Sequence, residues 1–171
     1  MAHGAPYRQT GMTLIEVLVS VLILAIGLLG AAAIQLNALK YTDSSAMTSQ
    51  ASFIAYDMMD RIRANVDGNA SANGSTNVLA TYNLPNLDAA PAANLNKARD
   101  QDLFDFKDNI GNFASASGTG SIVVSDSTLV TITIGWSDNR AAGASNQATG
   151  SPAATPVPRS FQLVSRIGVN P

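Results

Sequence analysis

The chain has 171 residues, a formal net charge of −2 and only 13% charged residues. A chain of this length is sufficient for one domain with one modest core. Its weak charge gives no electrostatic reason to expect a nucleic-acid partner. The absence of cysteine excludes disulfides, thiolate catalysis and cysteine-ligated metal sites.

The only histidine, His3, lies in residues 1–11, and removal of that segment would leave no imidazole for catalysis or metal binding. The glycines at 118 and 120 precede a predicted strand rather than a helix, which is not the arrangement of a phosphate-binding loop. The remaining Asp, Ser, Tyr, Lys and Arg form no recognisable catalytic constellation. We therefore predict a protein that is not an enzyme and that uses no cofactor or metal.

Residues 1–11 (MAHGAPYRQTG) are polar and precede an apolar stretch that contains no charge from Val17 to Leu39. As a helix, residues 12–34 would be roughly 34 Å long, against a hydrocarbon core of about 30 Å. The stretch therefore predicts a transmembrane helix. A secretory signal peptide cleaved within Ala31–Ala33 is the alternative. It would leave unexplained why Glu16, the only glutamate of the chain, lies at the start of the stretch.

Residues 35–65 predict the amphipathic second half of the same helix, which would run from about Thr13 to about Ala64. The apolar residues at helical spacing are Leu36, Leu39, Met47, Ala51, Ile54, Met58 and Ile62, with Ala55 and Met59 beside them. We interpret the methionines as core residues. The charged residues of the other face, interpreted as solvated or paired along the helix, are Asp57, Asp60, Arg61 and Arg63. The sequence Asn-Val-Asp-Gly at 65–68 predicts the helix end.

Residues 67–94 are rich in small and polar residues and predict a long loop, with Tyr82 and Leu84 as possible anchors. A second, shorter helix is predicted over residues 94–110. Its apolar positions are Leu95, Leu103, Phe106 and Ile110. Its acids could suggest a calcium site, but they lack the glycine and terminal glutamate of an EF-hand loop, so we interpret them as a solvated face. They are Asp100, Asp102, Asp105 and Asp108.

The last third of the chain predicts three β-strands, because β-branched and apolar residues alternate there with polar ones. The predicted strands are Ser121–Ser125, Thr128–Trp136 and Ser160–Val169, with a hairpin at residues 125–127 and a mobile loop over 137–158. One face of the second strand would carry Val130, Ile132, Ile134 and Trp136. The predicted fold is α+β, with the long helix packed on a small antiparallel sheet.

The polar leader ending in glycine, the following Met-Thr-Leu-Ile-Glu and the apolar helix resemble the class III signal of type IV pilins and pseudopilins. The resemblance implies a type IV pilin-like fold. It also implies that a prepilin peptidase cleaves between Gly11 and Met12 and methylates the new amino terminus of Met12. A charge within a membrane helix costs roughly 2.5–3.5 kcal/mol on insertion scales. Pairing with a processed amino terminus, within one subunit or between subunits, would avoid this cost, and the resemblance favours pairing between subunits. The alternative is a Glu16 that lies close enough to the membrane interface to be hydrated.

Two further stretches resemble the PilV family of minor pilins, the type IV pilus modification proteins. They are LAIGLLGAAAIQ (residues 24–35) and AYDMMDRIRAN (residues 55–65). The stretches ARDQDLFDFKDN and TLVTITIGW are similar more loosely. Residue 33, where major pilins usually carry a proline, is alanine, and the cysteine pair of major pilins is missing. Both departures argue against a major subunit.

The resemblance implies a minor pilin that is incorporated into the type IV pilus or at its tip and promotes pilus assembly, twitching motility and adhesion. The implied partners are other minor pilins, the major pilin, a tip adhesin, the prepilin peptidase and inner-membrane lipid. Residues 12–34 would anchor the chain once in the bacterial inner membrane, and residues 66–171 would form a periplasmic head. Two alternatives are a minor pseudopilin of a type II secretion system and a single-pass anchored periplasmic binding protein that is not cleaved at Gly11.

Overall fold

The computed structural model describes residues 11–73, 76–126, 128–138 and 157–167, with burial of side chains defined outside residues 67–77. The predicted leader, apart from its last residue, lies outside these ranges, as do residues 139–156 of the mobile loop predicted over 137–158. Contacts divide the chain into two compact units, residues 1–39 and residues 40–171. The first unit holds the start of the long helix, and the second holds the sheet and the hydrophobic core.

The first helix, α1, spans Leu14–Asn73. Its predicted start is confirmed, but its predicted end at residues 65–68 is wrong. Val66 is buried in the core, and the side-chain amide of Asn65 donates a 2.6 Å hydrogen bond to the Tyr82 hydroxyl. Glycine in a helix interior costs only about 1 kcal/mol relative to alanine. Tertiary contacts at the predicted stop therefore outweigh the local preference for a turn.

The region predicted as a long loop contains two short helical elements, so that prediction is wrong in part. Helix α2 spans Thr76–Thr81, and a 3₁₀ turn spans Leu87–Ala89. The Asn86 side chain caps the 3₁₀ turn by accepting a 3.1 Å hydrogen bond from the Ala89 amide. Tyr82 and Leu84 are both fully buried, which confirms them as anchors.

Helix α3 spans Ala98–Ala114 and lies four residues later than the predicted 94–110 at each end. Leu95 does not belong to it and is 90% exposed. The predicted apolar residues Leu103, Phe106 and Ile110 are buried, and Ala114 adds one more buried position. Gly111 does not end the helix. The chain leaves the helix at Ser115, which has a positive φ of 50°.

Three antiparallel strands form one sheet in the order β1-β2-β3. They are β1 (Thr119–Ser125), β2 (Leu129–Asp138) and β3 (Val157–Arg166). All three predicted strands are therefore confirmed, but their bounds differ: β1 begins two residues earlier than predicted, β2 ends two residues later, and β3 is shifted three residues earlier. Residues 137–138 and 157–158, predicted as the ends of a loop, therefore belong to strands. The predicted hairpin between the first two is also confirmed: Ser125 pairs with Leu129, and Asp126 adopts a positive φ of 51° in the turn.

The core of the second unit lies between α1, α3 and one face of the sheet. The predicted inner face of β2, formed by Val130, Ile132, Ile134 and Trp136, is buried. The buried residues of α1 are Ala51, Ala55, Met58, Met59, Ile62 and Val66, which confirms the methionines as core. Leu36 and Leu39 are exposed instead, so the buried stripe of the helix starts near Met47. The fold is α+β, with the long helix packed on a three-stranded antiparallel sheet and accompanied by further short helices.

We expect a fragment of residues 40–171 to be soluble and folded, because it retains the complete core and loses only the uncovered apolar helix. Circular dichroism should show mixed helix and sheet, and size-exclusion chromatography should show a monomer. A random-coil spectrum, or pelleting of the fragment with membranes, would contradict the assignment of the core to this unit.

Candidate functional site

The predicted cleavage site lies in an exposed segment in front of the helix. Gly11 and Met12 are not helical, and Met12 is 72% exposed. A Cβ atom added to Gly11 would have no protein atom within 4 Å. The fold of the chain therefore does not require glycine at position 11, and a requirement for glycine there would have to come from an enzyme that binds this segment.

Glu16 lies in the first turn of α1. The Thr13 carbonyl accepts hydrogen bonds from the amides of Glu16 and Val17, at 3.0 and 3.3 Å, and so begins the helix. The spacing of Thr13 and Glu16 is that of a capping box, a signal that the sequence interpretation missed. A carboxylate in the first turn also interacts favourably with the positive end of the helix dipole, by about 0.3–1 kcal/mol.

The Glu16 carboxylate has no hydrogen-bond donor or cation among residues 11–73 or the other described parts of the chain. Ser20, one turn later, donates its hydroxyl to the Glu16 main-chain carbonyl at 2.7 Å and not to the carboxylate. The structure thus places Glu16 at the predicted position, but the described chain supplies no counter-charge. A counter-charge would have to come from a processed amino terminus, another molecule or solvent.

The apolar half of α1 is uncovered. Every residue from 11 to 39 is exposed, including the leucines, isoleucines and valines that follow Glu16. The helix is long and apolar enough to cross a membrane. Full burial of one such side chain stabilises by about 1.5–3 kcal/mol. The composition and exposure of the segment therefore suit contact with lipid or with neighbouring helices.

A family model described as "Prokaryotic N-terminal methylation motif" matches residues 6–32. The match includes Gly11, Met12, Glu16 and most of the apolar segment. The chain carries a type IV pilin-like prepilin signal. No curated protein and no solved structure matches the chain.

The prepilin signal supports the type IV pilin or pseudopilin class, whose members are structural rather than catalytic. It also implies processing by a prepilin peptidase and assembly with other pilin-type subunits. Together with the exposed apolar helix, it fits anchoring in a membrane.

A second polar site, in the second unit, joins α1 to α3 through Arg61. This guanidinium contacts three carboxylates: Asp57 on its own helix at 2.9 Å, and Asp105 and Asp102 of α3 at 2.8 and 3.4 Å. Asp102 also accepts a 2.6 Å hydrogen bond from the Tyr82 hydroxyl. Arg61 therefore links α1 to α3, and Asp102 links both to Tyr82 in the segment between these helices.

Burial raises the pKa of the Tyr82 phenol, and the hydrogen bond that it donates to Asp102 raises this pKa further. For Arg61, burial lowers the pKa, but the bonds to Asp105 and Asp57 outweigh this effect and raise it overall. Both groups therefore keep their protons throughout the physiological range. The charge of Arg61 thus stays available to the carboxylates of both helices.

The interpretation of the α3 acids as a solvated face is wrong for three of the four. Asp102 and Asp105 contact Arg61, and Asp100 accepts a 2.8 Å hydrogen bond from Arg99. Asp108 accepts a hydrogen bond only from Asn112, on the exposed face. The predicted pairing along α1 is confirmed, since Arg63 pairs with Asp60 at 3.1 Å and Arg61 with Asp57. The sequence interpretation missed the contacts between helices, although arginine on one helix and aspartates on the other could have suggested them.

We expect Arg61→Met in the fragment of residues 40–171 to lower the free energy of unfolding by about 1–2 kcal/mol. This value lies between those of exposed and fully buried ion pairs, because the Arg61 side chain is 35% exposed. Arg63→Met is the control, since Asp60 is far more exposed and the other group that Arg63 contacts, the Ser165 hydroxyl at 2.8 Å, is uncharged and exposed. It should cost no more than about 1 kcal/mol. Urea denaturation measures both, and equal losses for the two variants would contradict a special role for Arg61.

Proposed function

We propose that the protein is a minor pilin that enters the type IV pilus, or lies at its tip, and promotes pilus assembly. The observation that carries the proposal is a prepilin signal that includes the start of an apolar helix, of which every described residue up to residue 39 is exposed. In this proposal, residues 12–34 first lie in the inner membrane and later pack among the helices of neighbouring subunits. Residues 66–171, with the end of α1, form the periplasmic head.

Because the helix is exposed, it can be surrounded first by membrane lipid and later by the helices of a filament. Lipid covers apolar side chains before assembly, and neighbouring helices of similar composition can replace lipid in a filament. The small residues in this segment, Gly27, Gly30 and Ala31–Ala33, permit close approach of helix backbones. The partners proposed on this basis are other minor pilins and the major pilin, with a tip adhesin as a further partner.

Glu16 supplies the specific contact in this proposal. Cleavage after Gly11 creates a positive amino group on Met12, which is methylated but retains its charge at neutral pH. Glu16 has no counter-charge in the described chain, so pairing with this amino group would remove an unpaired charge from an apolar environment. Pairing with the amino terminus of an adjacent subunit would make assembly favourable and would also fix the axial offset of neighbouring helices.

Similarity to the PilV family of minor pilins supports a minor subunit over a major one. The stretch AYDMMDRIRAN, which carries this similarity, contains Arg61 and most of the buried residues of α1. Alanine at position 33 and the absence of cysteine also favour a minor subunit.

A minor pseudopilin of a type II secretion system is the second candidate, because the matched motif belongs equally to that class. Deletion of the gene separates the two. We expect loss of surface pili and of twitching with normal protein secretion. A secretion defect with normal pili would instead assign the protein to the secretion system.

We expect Gly11→Trp to block processing and leave the full-length precursor in the membrane. The chain itself has space for a side chain at Gly11, so the loss would report the need of the peptidase for a small, flexible residue. Intact-mass spectrometry of the membrane fraction measures the cleavage.

Gly27→Leu is the control for this experiment, because it also adds a side chain to an exposed glycine but lies well away from the proposed cleavage site. It should be cleaved normally. Cleavage of the Trp variant at the normal position, or a wild-type protein that retains Met1, would contradict processing at Gly11.

We expect Glu16→Ala and Glu16→Gln to be cleaved and inserted but strongly depleted from sheared pili. Both variants leave the amino group of Met12 without its anion in an apolar environment, and removal of one partner of a buried pair costs about 3–5 kcal/mol. Such a cost lowers a subunit–subunit association constant by roughly two to three orders of magnitude. Quantitative immunoblotting of sheared pili and membranes measures the distribution.

Ser20→Ala is the matched control, since it also replaces a polar residue of the exposed helix but leaves Glu16 in place. It should enter pili in normal amounts. Normal amounts of the Glu16→Ala variant in pili would show that Glu16 is not an assembly contact.

A further inference from the structure

Among the described residues, the outer edge of β1 forms a single β-bridge. Leu84, which lies outside the named strands, forms an antiparallel bridge with Ile122. The Leu84 amide donates to the Ile122 carbonyl and the Ile122 amide donates to the Leu84 carbonyl, both at 2.8 Å. The amide of Val124 donates to the Asn83 side chain at 3.3 Å on the same edge. The described chain therefore covers the second half of this edge.

In the first half of the edge, the main chain of Gly120 has no strand beside it in the described chain. In an antiparallel strand the amide and carbonyl of a residue point to the same side, and the side alternates from one residue to the next. Since Ile122 and Val124 direct these groups away from β2, Gly120 directs its own groups away from β2 as well. No residue in the described parts of the chain bonds to them, although Gly120 is buried. Buried main-chain groups without a hydrogen-bond partner are rare and costly.

The chain turns away from β1 immediately after the bridge. Pro85 has no amide hydrogen, and the next residue, Asn86, caps the 3₁₀ turn instead of continuing along β1. A groove of about 420 Å³ lies between this 3₁₀ turn and the edge of β1. Its lining residues include Asn86, Asp88, Ala116, Gly120 and Ser121.

The lack of a side chain at Gly120 also allows β1 to lie close to its neighbours. A Cβ atom at this position would lie 2.6 Å from the Ile110 side chain and 2.7 Å from that of Leu87. The strand can therefore approach α3 and the 3₁₀ turn only because residue 120 is glycine. The same close packing holds the amide and the carbonyl of Gly120 in a fixed orientation towards the groove.

We propose that this groove binds an extended peptide segment of a partner protein, which continues the Leu84 bridge as an added strand. One residue of the segment donates its amide to the Gly120 carbonyl and accepts from the Gly120 amide. An exposed strand edge is a common template for this kind of recognition, in which main-chain hydrogen bonds supply affinity and side chains supply specificity. The site is separate from Gly11 and Glu16 and requires neither cleavage nor membrane insertion.

The lining of the groove defines the chemistry of the segment. Asp88 is the only charged residue among the lining residues, and it is exposed. Hydroxyl groups of Thr119, Ser121 and Thr133 supply most of the remaining side-chain polarity. The groove therefore fits a segment of small or β-branched residues that carries one lysine or arginine for Asp88.

The probe is the capped peptide acetyl-Thr-Val-Thr-Lys-Thr-Val-amide, added to the isotopically labelled full chain in detergent micelles. Amide hydrogen exchange measured by NMR reports directly on the proposed contact. Without peptide, the Gly120 amide should exchange at least about tenfold faster than the Ile122 amide, which is bonded to Leu84. Saturating peptide should slow Gly120 at least about tenfold and leave the Ser121 amide, which faces β2, unchanged.

Three comparisons make the test specific. The same peptide with every amide nitrogen methylated should give no protection, because it cannot donate to the Gly120 carbonyl. Ala116→Phe fills the groove from an exposed position and should abolish protection, whereas Val164→Phe, on the exposed part of β3, should not. Asp88→Asn should weaken binding of the lysine peptide a few-fold, as expected for an exposed ion pair.

Four results would overturn the proposal. The Gly120 amide could exchange as slowly as that of Ile122 without peptide, which would show that it already has a partner. The peptide could leave Gly120 unprotected at millimolar concentration. The methylated peptide could protect Gly120 equally, or Ala116→Phe could leave protection intact, and either would place the interaction outside the groove.

Discussion

The apolar first half of α1 is exposed in the described structure, although contact of so much apolar surface with water is unfavourable. Every residue from 11 to 39 is exposed, whereas the buried apolar residues from Ala51 onwards form a complete core with α3 and the sheet. Lipid or other helices would cover the exposed apolar surface of the first segment. We expect the second segment to fold without either. One continuous helix thus joins an exposed apolar part to a part that lies in the core.

The two halves of α1 also differ in whether their charged side chains have a counter-charge. Arg61 contacts Asp57, Asp102 and Asp105 within the chain, so its charge is compensated before any partner arrives. Glu16 has no such compensation in the described residues. A charge that is satisfied internally stabilises the fold, whereas a charge that lacks a partner in an apolar segment favours association with whatever supplies its counter-charge. Arg61 therefore suits the end of α1 that lies in the core, and Glu16 suits the end that is proposed to associate with other subunits.

Sequence periodicity predicted the elements that bury the side chains of one face and expose those of the other. The alternation of Val130, Ile132, Ile134 and Trp136 and the helical spacing of Met58 and Ile62 each reflect burial against one surface, and these predictions are confirmed. Helix ends were less predictable, because tertiary contacts decide them. Local preference indicated a stop near Asp67, but Val66 and Asn65 have partners that favour continuation of the helix. Likewise, Leu95 fits the helical pattern and yet lies before the first residue of α3.

For the functional residues, the sequence was informative where a motif is local and uninformative where a site is assembled from distant parts. Gly11, Met12 and Glu16 lie within six consecutive positions, and their pattern alone indicates a prepilin signal. The environment of Gly120 depends on the bridge between Leu84 and Ile122, residues almost forty positions apart. Because no local pattern encodes which side of β1 remains unpaired, this edge becomes visible only when the register of the sheet is known. The glycine is required there for close packing against Ile110 and Leu87, and the same packing turns its main chain towards the groove.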